Sequence, residues 1–136
     1  MLDLKKSNYA EVAEAGYEFE LTLPGTNEPS GAHVTVRGDN SKTVKAYSRK
    51  KYSEFRAREQ MLKRRGKEAE EITIDEAEDL SIESAIVRVI SWKGITEGGL
   101  PVEFNKENAT RVFRDHPWIR EQVMEVSQDI LNFRPE

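Results

Sequence analysis

The chain has 136 residues, of which 37% are hydrophobic and 34% charged, with a net charge of −4 and no cysteine. That length suits one domain with a modest core. The missing cysteine excludes disulfides, thiolate nucleophiles and cysteine-ligated zinc, and the acidic balance argues against a dedicated nucleic-acid binder. No run approaches the roughly 20 apolar residues that span a bilayer. Residues 1–6 carry no apolar stretch of the secretory kind, so the expectation is a cytosolic protein without a membrane span.

Ser7 or Asn8 can cap a short helix through Ala10, Val12 and Ala13, which Gly16 stops. Tyr17, Phe19, Leu21 and Leu23 then alternate with Glu18, Glu20 and Thr22, the period of a strand with one buried face. Pro24, Gly25 and residues 27–31 are turn material. Ala32, Val34 and Val36 alternate with His33, Thr35 and Arg37 and predict a second strand. The two runs make a β-hairpin with a long loop, which needs helices under its apolar face to be stable.

Residues 38–41 form a turn that offers helix caps, and from there to Arg65 the chain has neither Gly nor Pro. The spacing predicts a long helix over 42–65. Val44, Tyr47, Phe55 and Leu62 share one side of it, widened by Tyr52 and Met61, and both tyrosines are read as core. Lys45, Arg49, Arg56 and Lys63 recur at intervals of 4, 7 and 7, about a third of a turn away. The helix thus bears an apolar stripe and a basic stripe. Residues 42–67 hold eleven lysines and arginines against two glutamates, and residues 68–83 hold eight acids and no base. Such neighbours are expected to lie side by side as antiparallel helices, guided more than held by exposed pairs worth ~0.2–1 kcal/mol each.

Thr73 or Asp75 caps the second long helix, whose acidic first turns suit the positive end of a helix dipole. Ile82, Ala85, Ile86, Val87, Val89, Ile90 and Trp92 follow. The β-branched run at 86–90 reads equally as a buried strand, but the cap, the acidic opening and Gly94 favour helix throughout. Residues 94–101 form a loop, and Val102 and Phe104 a short extended piece. Asn105 caps a third helix with Ala109, Val112, Phe113 and His116 at helical spacing. Pro117 starts the last one, which carries Ile119, Val123, Val126, Ile130 and Phe133 before Pro135. The expected fold is α+β: a mostly α-helical single domain over 1–136. Its N-terminal segment and β-hairpin (1–37) pack on about four helices drawn from 38–136.

Chemical motifs are sparse. There is no Gly-x-Ser-x-Gly elbow, and His33 and His116 stand far apart on a strand and a helix end. Asp75 and Asp79, with Glu76, Glu78 and Glu83, have no histidine at ligand spacing and read as a solvated acidic face. The loop at 94–99 lacks the Gly-Lys-Ser/Thr ending of a phosphate loop, and Glu97 would repel an anion. The triplet Asn108-Ala109-Thr110 carries no weight without a secretory signal. No catalytic, metal or cofactor residue is assigned, and no enzyme is expected. The basic helix 42–65, with Tyr47 and Tyr52, is the one candidate surface for nucleic acid. Trp92 and Trp118 are candidate protein-binding anchors, each also suited to closing the core at a helix end.

Trp92-Lys93-Gly94-Ile95, then Gly98-Gly99-Leu100-Pro101-Val102-Glu103-Phe104, then Asn105-Lys106-Glu107-Asn108-Ala109 resembles the tail assembly chaperones of long non-contractile-tailed bacteriophages and their prophages. Pro117-Trp118-Ile119-Arg120, Asn132-Phe133 and the opening Leu2-Asp3-Leu4-Lys5-Lys6 fit the same register. The resemblance covers 86–133 and extends to the rest only in layout. The family commonly has a single Gly and a charged residue where Gly98-Gly99-Leu100 stands here. The resemblance implies a non-enzymatic protein in the host bacterial cytoplasm, absent from the mature virion. Its implied partners are the tape-measure protein, which it keeps soluble, and tail-tube subunits, which it recruits. It also implies weak self-association in a row, for which segregated charge is suited. Lys45, Arg49, Arg56 and Lys63, with Trp118, are the candidate protein-binding residues. The alternative is a small nucleic-acid-binding regulator that uses helix 42–65.

Overall fold

The side chain of Asn8 accepts the Glu11 amide at 3.2 Å and opens helix α1 (Tyr9–Ala15). Gly16, at φ 99°, ends it and feeds strand β1 (Tyr17–Thr22), which pairs antiparallel with β2 (Pro29–Val36), Tyr17 opposite Val36. The computed structural model describes residues 1–66 and 72–135. The second strand starts earlier than its alternation suggests: residues 29–31 are strand, not turn. Side chains satisfy the backbone there, since Gly31 N donates to Glu20 Oε2 and Ala32 N to Ser30 Oγ, both at 3.1 Å.

After β2 come α2 (Lys42–Arg64) and α3 (Ile74–Arg88). Contrary to expectation, the helix does not continue to Trp92. Val89–Lys93 forms strand β3 and pairs antiparallel with β2, giving a three-stranded sheet in the order β1-β2-β3. The physical reason is tertiary: β2 offers an open edge, and the β-branched run fills it better than it extends a helix. Trp92 therefore sits within a strand opposite Val34, not at a helix end. Arg37 fixes the junction, its amide donating to Arg88 O at 2.6 Å and its guanidinium to Val87 O at 3.1 Å. Gly94, at φ 80°, carries the chain off the sheet; a Cβ there would stand 2.6 Å from the Gly31 carbonyl oxygen. A small hairpin follows, β4 (Thr96–Glu97) with β5 (Leu100–Pro101), so that Val102 and Phe104 lie beyond the last strand.

Helices α4 (Lys106–Asp115) and α5 (Pro117–Gln128) complete the layer under the sheet, with Asn105 capping α4 through the Asn108 amide at 2.8 Å. The last helix breaks at Asp129, whose carboxylate accepts the Leu131 amide, and a 3-10 turn over Ile130–Phe133 follows. That break buries Phe133 completely and leaves Ile130 exposed. One core joins Leu21, Ala32, Val34, Val36 and Val89 of the sheet to Ile82 and Ala85 of α3, Val112 and Phe113 of α4, and Ile119 and Val123 of α5. The architecture is α+β, an N-terminal hairpin laid on helices, as the patterning predicts.

A polar junction sets where α2 begins. Arg88 is almost wholly buried; its Nη2 and Nε donate to Asp39 Oδ1 at 2.6 and 3.1 Å, and its Nη1 to Ser84 O at 2.9 Å. Asp39 N donates to Ser127 O at 3.0 Å, and Ser127 Oγ to Arg37 O at 2.6 Å. The turn is thereby tied to α3 and α5 at once. Ser41, fully buried, then caps α2 through the Val44 amide at 3.2 Å.

Candidate protein-binding surface

Helix α2 is about 35 Å long at 1.5 Å per residue, yet Val44 is its single buried residue. Its first turns rest on α1. Glu14 of α1 accepts the Thr43 amide at 3.0 Å and the Thr43 hydroxyl, and Arg37 lies 3.4 Å away. These hydrogen bonds, the Thr43 hydroxyl foremost, hold the Glu14 carboxyl below its ordinary value. Beyond that point α2 packs on α3.

The contact with α3 is the antiparallel pairing that the opposite charge blocks predict. Lys51 reaches Glu83 at 2.8 Å and Glu54 at 3.2 Å, and Arg58 reaches Glu76 at 3.3 Å. The two carboxylates raise the Lys51 ammonium well above the usual lysine range. Burial raises the Tyr47 phenol, and Glu83 adds to it. On its far side α3 is held to α4, where Arg114 meets Asp79 at 2.8 Å and Glu78 at 3.8 Å. Glu76, Glu78, Asp79 and Glu83 thus have cations of the same chain. Lys67, Glu68, Glu70 and Glu71 of the two blocks lie outside the described residues.

The apolar stripe of α2 is only partly covered. Tyr47 and Leu62 are half-buried, but Phe55 remains 38% exposed and Met61 53% exposed. Tyr52, read as core from its position beside the stripe, is 65% exposed. A helix packed on one neighbour buries a strip narrower than the apolar arc that the sequence writes, and Tyr52 falls outside it. It stands between Arg49 and Arg56, three residues after one and four before the other, on the same face.

Lys45, Arg49, Arg56 and Lys63 are all exposed along one flank of α2. Among the described residues Lys45, Arg49 and Arg56 have no ion-pair partner, and Lys63 lies 3.7 Å from Glu59 on its own helix. Lys45 and Arg49 also border a hollow of about 420 Å³ against α1, with Asn8, Glu11 and Glu14. Trp118 lies elsewhere. It is half-buried in the first turn of α5 and lines a groove of about 370 Å³ with Leu21, Ala32, Ile95, Val102 and His116. The structure therefore brings the four cations onto one face and does not bring Trp118 to them. Trp92 is a core anchor: its indole N–H donates to Val102 O at 2.7 Å, and Phe104 and Phe113 meet it edge-on at 5.0 and 6.1 Å.

The residue pattern alone passes over one charged row. Glu121 and Glu125 on the exposed side of α5, and Asp129 at the break that ends it, recur every four residues. None of the three has an ion-pair partner among the described residues. The spacing of four is their signal in the sequence, interleaved there with the apolar positions Ile119, Val123 and Val126. His33 lies on the sheet face turned from the core, and His116 between α4 and α5. Among the described residues no three His, Asp or Glu side chains gather as metal ligands, and no helix is long and apolar enough to cross a membrane.

No curated protein and no solved structure matches this chain. The model of the YdaY prophage protein family matches residues 41–136, from the buried cap of α2 through all that follows it. With that match across more than two thirds of its length, the chain belongs to the YdaY prophage protein family.

Proposed function

We propose that this prophage protein works by reversible protein binding, without covalent chemistry, as a tail assembly chaperone. In this reading it binds the tape-measure protein, keeps it soluble and recruits tail-tube subunits in the host cytoplasm, and it leaves before the virion is finished. The observation that carries the reading is the state of α2. A 23-residue helix keeps one flank exposed, with Tyr52 and three cations that have no ion-pair partner among the described residues. A long vacant helix face fits a client that is itself a long helix, where many weak contacts add along the axis. The resemblance carried by Trp92–Phe104, Asn105 and Trp118 supports the same reading.

Co-expression with the tape-measure protein of the same prophage tests it. The chaperone should raise the soluble fraction of that protein and co-purify with it. The reading fails if the client's solubility is the same with and without it. Tyr52, standing free between Arg49 and Arg56, favours a second reading in which the same flank binds nucleic acid through phosphate contacts and base stacking. Salt-sensitive binding to single-stranded DNA or RNA, without any effect on the client, would select that reading.

A further inference from the structure

We propose that α5 of one copy docks on the basic flank of α2 of a second copy, so that the protein associates head to tail with itself. In the acidic block that the charge reversal in the sequence suggests as the complement of the basic stripe, Glu76, Glu78, Asp79 and Glu83 already pair with Arg58, Arg114 and Lys51 of their own chain, which leaves Asp75 as the acid without an ion-pair partner among its described residues. Among the described residues, Glu121 and Glu125 on α5, and Asp129 just beyond its end, form a negative row without ion-pair partners. Among the described residues, Lys45, Arg49 and Arg56 on α2 form a positive row without ion-pair partners.

The rows match in spacing: Glu121 and Glu125 stand about 6 Å apart along the helix axis, and so do Lys45 and Arg49, at 1.5 Å per residue. Lys45 and Arg49 are four residues apart, as are Glu121 and Glu125. The rows lie on different flanks, the basic one bordering α1 and the acidic one bordering α3 at Ser81. A row that lies on a different flank from its complement satisfies that complement in another molecule, and the second molecule's own acidic row then stays free. Such a contact is heterologous and repeats.

Each row also carries an apolar feature. The acidic row rims a groove of about 490 Å³ that Met124 lines, and the basic row presents Tyr52. A tyrosine ring against a thioether is a favourable pairing. Arg120 borders the same groove, but its guanidinium is turned to the Phe113 carbonyl oxygen at 3.3 Å. This inference holds whatever the client of the protein is.

Sedimentation velocity at ~0.01 M and ~1 M salt, where the Debye length is about 30 Å and about 3 Å, tests it. The parent chain should associate in a concentration-dependent manner at low salt and revert to monomer at high salt. Lys45→Glu with Arg49→Glu, and separately Glu121→Lys with Glu125→Lys, should each be monomeric and keep the parent far-UV spectrum, since all four positions are exposed. An equimolar mixture of the two variants should associate as the parent does, because the α5 row of each complements the α2 row of the other, and the chain with all four reversed should associate again. A parent that stays monomeric at low salt, or a charge-reversed pair that associates like the parent, would overturn the proposal. So would a Lys45→Glu, Arg49→Glu variant that loses heparin retention while its sedimentation is unchanged.

Discussion

Removing the carboxylate of Asp39 strands a buried charge. The Arg88 side chain is 9% exposed, and two of its N–H groups, Nε and Nη2, depend on Asp39 Oδ1. Deleting one partner of a fully buried pair typically costs about 3–5 kcal/mol, because the survivor is left uncompensated. Asp39 itself is 47% exposed on its side chain, so water can enter the vacated place. Nη1 also keeps Ser84. The expected loss for Asp39→Ala is therefore nearer the cost of charged hydrogen bonds, about 1.5–3 kcal/mol. Asp39→Asn keeps one acceptor oxygen and should lose about 1 kcal/mol. Urea unfolding followed by circular dichroism measures both. Arg88→Met supplies the control: with no guanidinium to strand, Asp39→Ala in that background should cost under ~0.5 kcal/mol. An equal cost of Asp39→Ala in both backgrounds would refute the reasoning, because the effect would then come from the turn and not from the pair.

Acid should loosen the seat of α2. The Glu14 carboxyl is held below its ordinary value of 4.5, chiefly by the Thr43 hydroxyl. Its contribution is complete above that value and fades as the pH falls from there through the depressed folded value. Glu14→Gln should flatten the stability profile in that window and leave its neutral-to-basic shape alone; a parent-like acid limb in the variant counts against this. Gly94→Ala sets a methyl 2.6 Å from the Gly31 carbonyl oxygen at φ 80°, and it should destabilise by about 1–3 kcal/mol in the same assay. An unchanged midpoint would mean that the turn after β3 yields freely.

The comparison of α2 with α3 shows how far residue pattern alone reaches. Caps, breakers and periodicity are local properties of the chain, so Asn105 caps its helix where the sequence places it, and Asn8, Ser41 and Thr73 are the caps taken from the few candidates that the sequence offers. The hairpin, the long basic helix and its antiparallel acidic partner are legible for the same reason. The four stripe cations share a face because a helix of 3.6 residues per turn allows nothing else. What residues 86–92 become is not local. Their apolar, β-branched character fits a buried helix or a strand, and only the open edge of β2 resolves it. The break at Asp129 is similar: Phe133 turns back because Gly38 leaves room for its ring and Tyr17 meets it edge-on at 6.1 Å.

The candidate surface divides along the same line. Residue order dictates which charges exist and which of them share a helix face. Which of those charges are spent follows from the packing of the helices. That packing put Lys51, Arg58 and Arg114 against the acids of α3, left Lys45, Arg49 and Arg56 without an ion-pair partner among the described residues, exposed Tyr52, and set Glu121 and Glu125 of α5 on another flank. Pairing of charges depends on which helices become neighbours. That depends on where their apolar faces find cover, which no local stretch of sequence states.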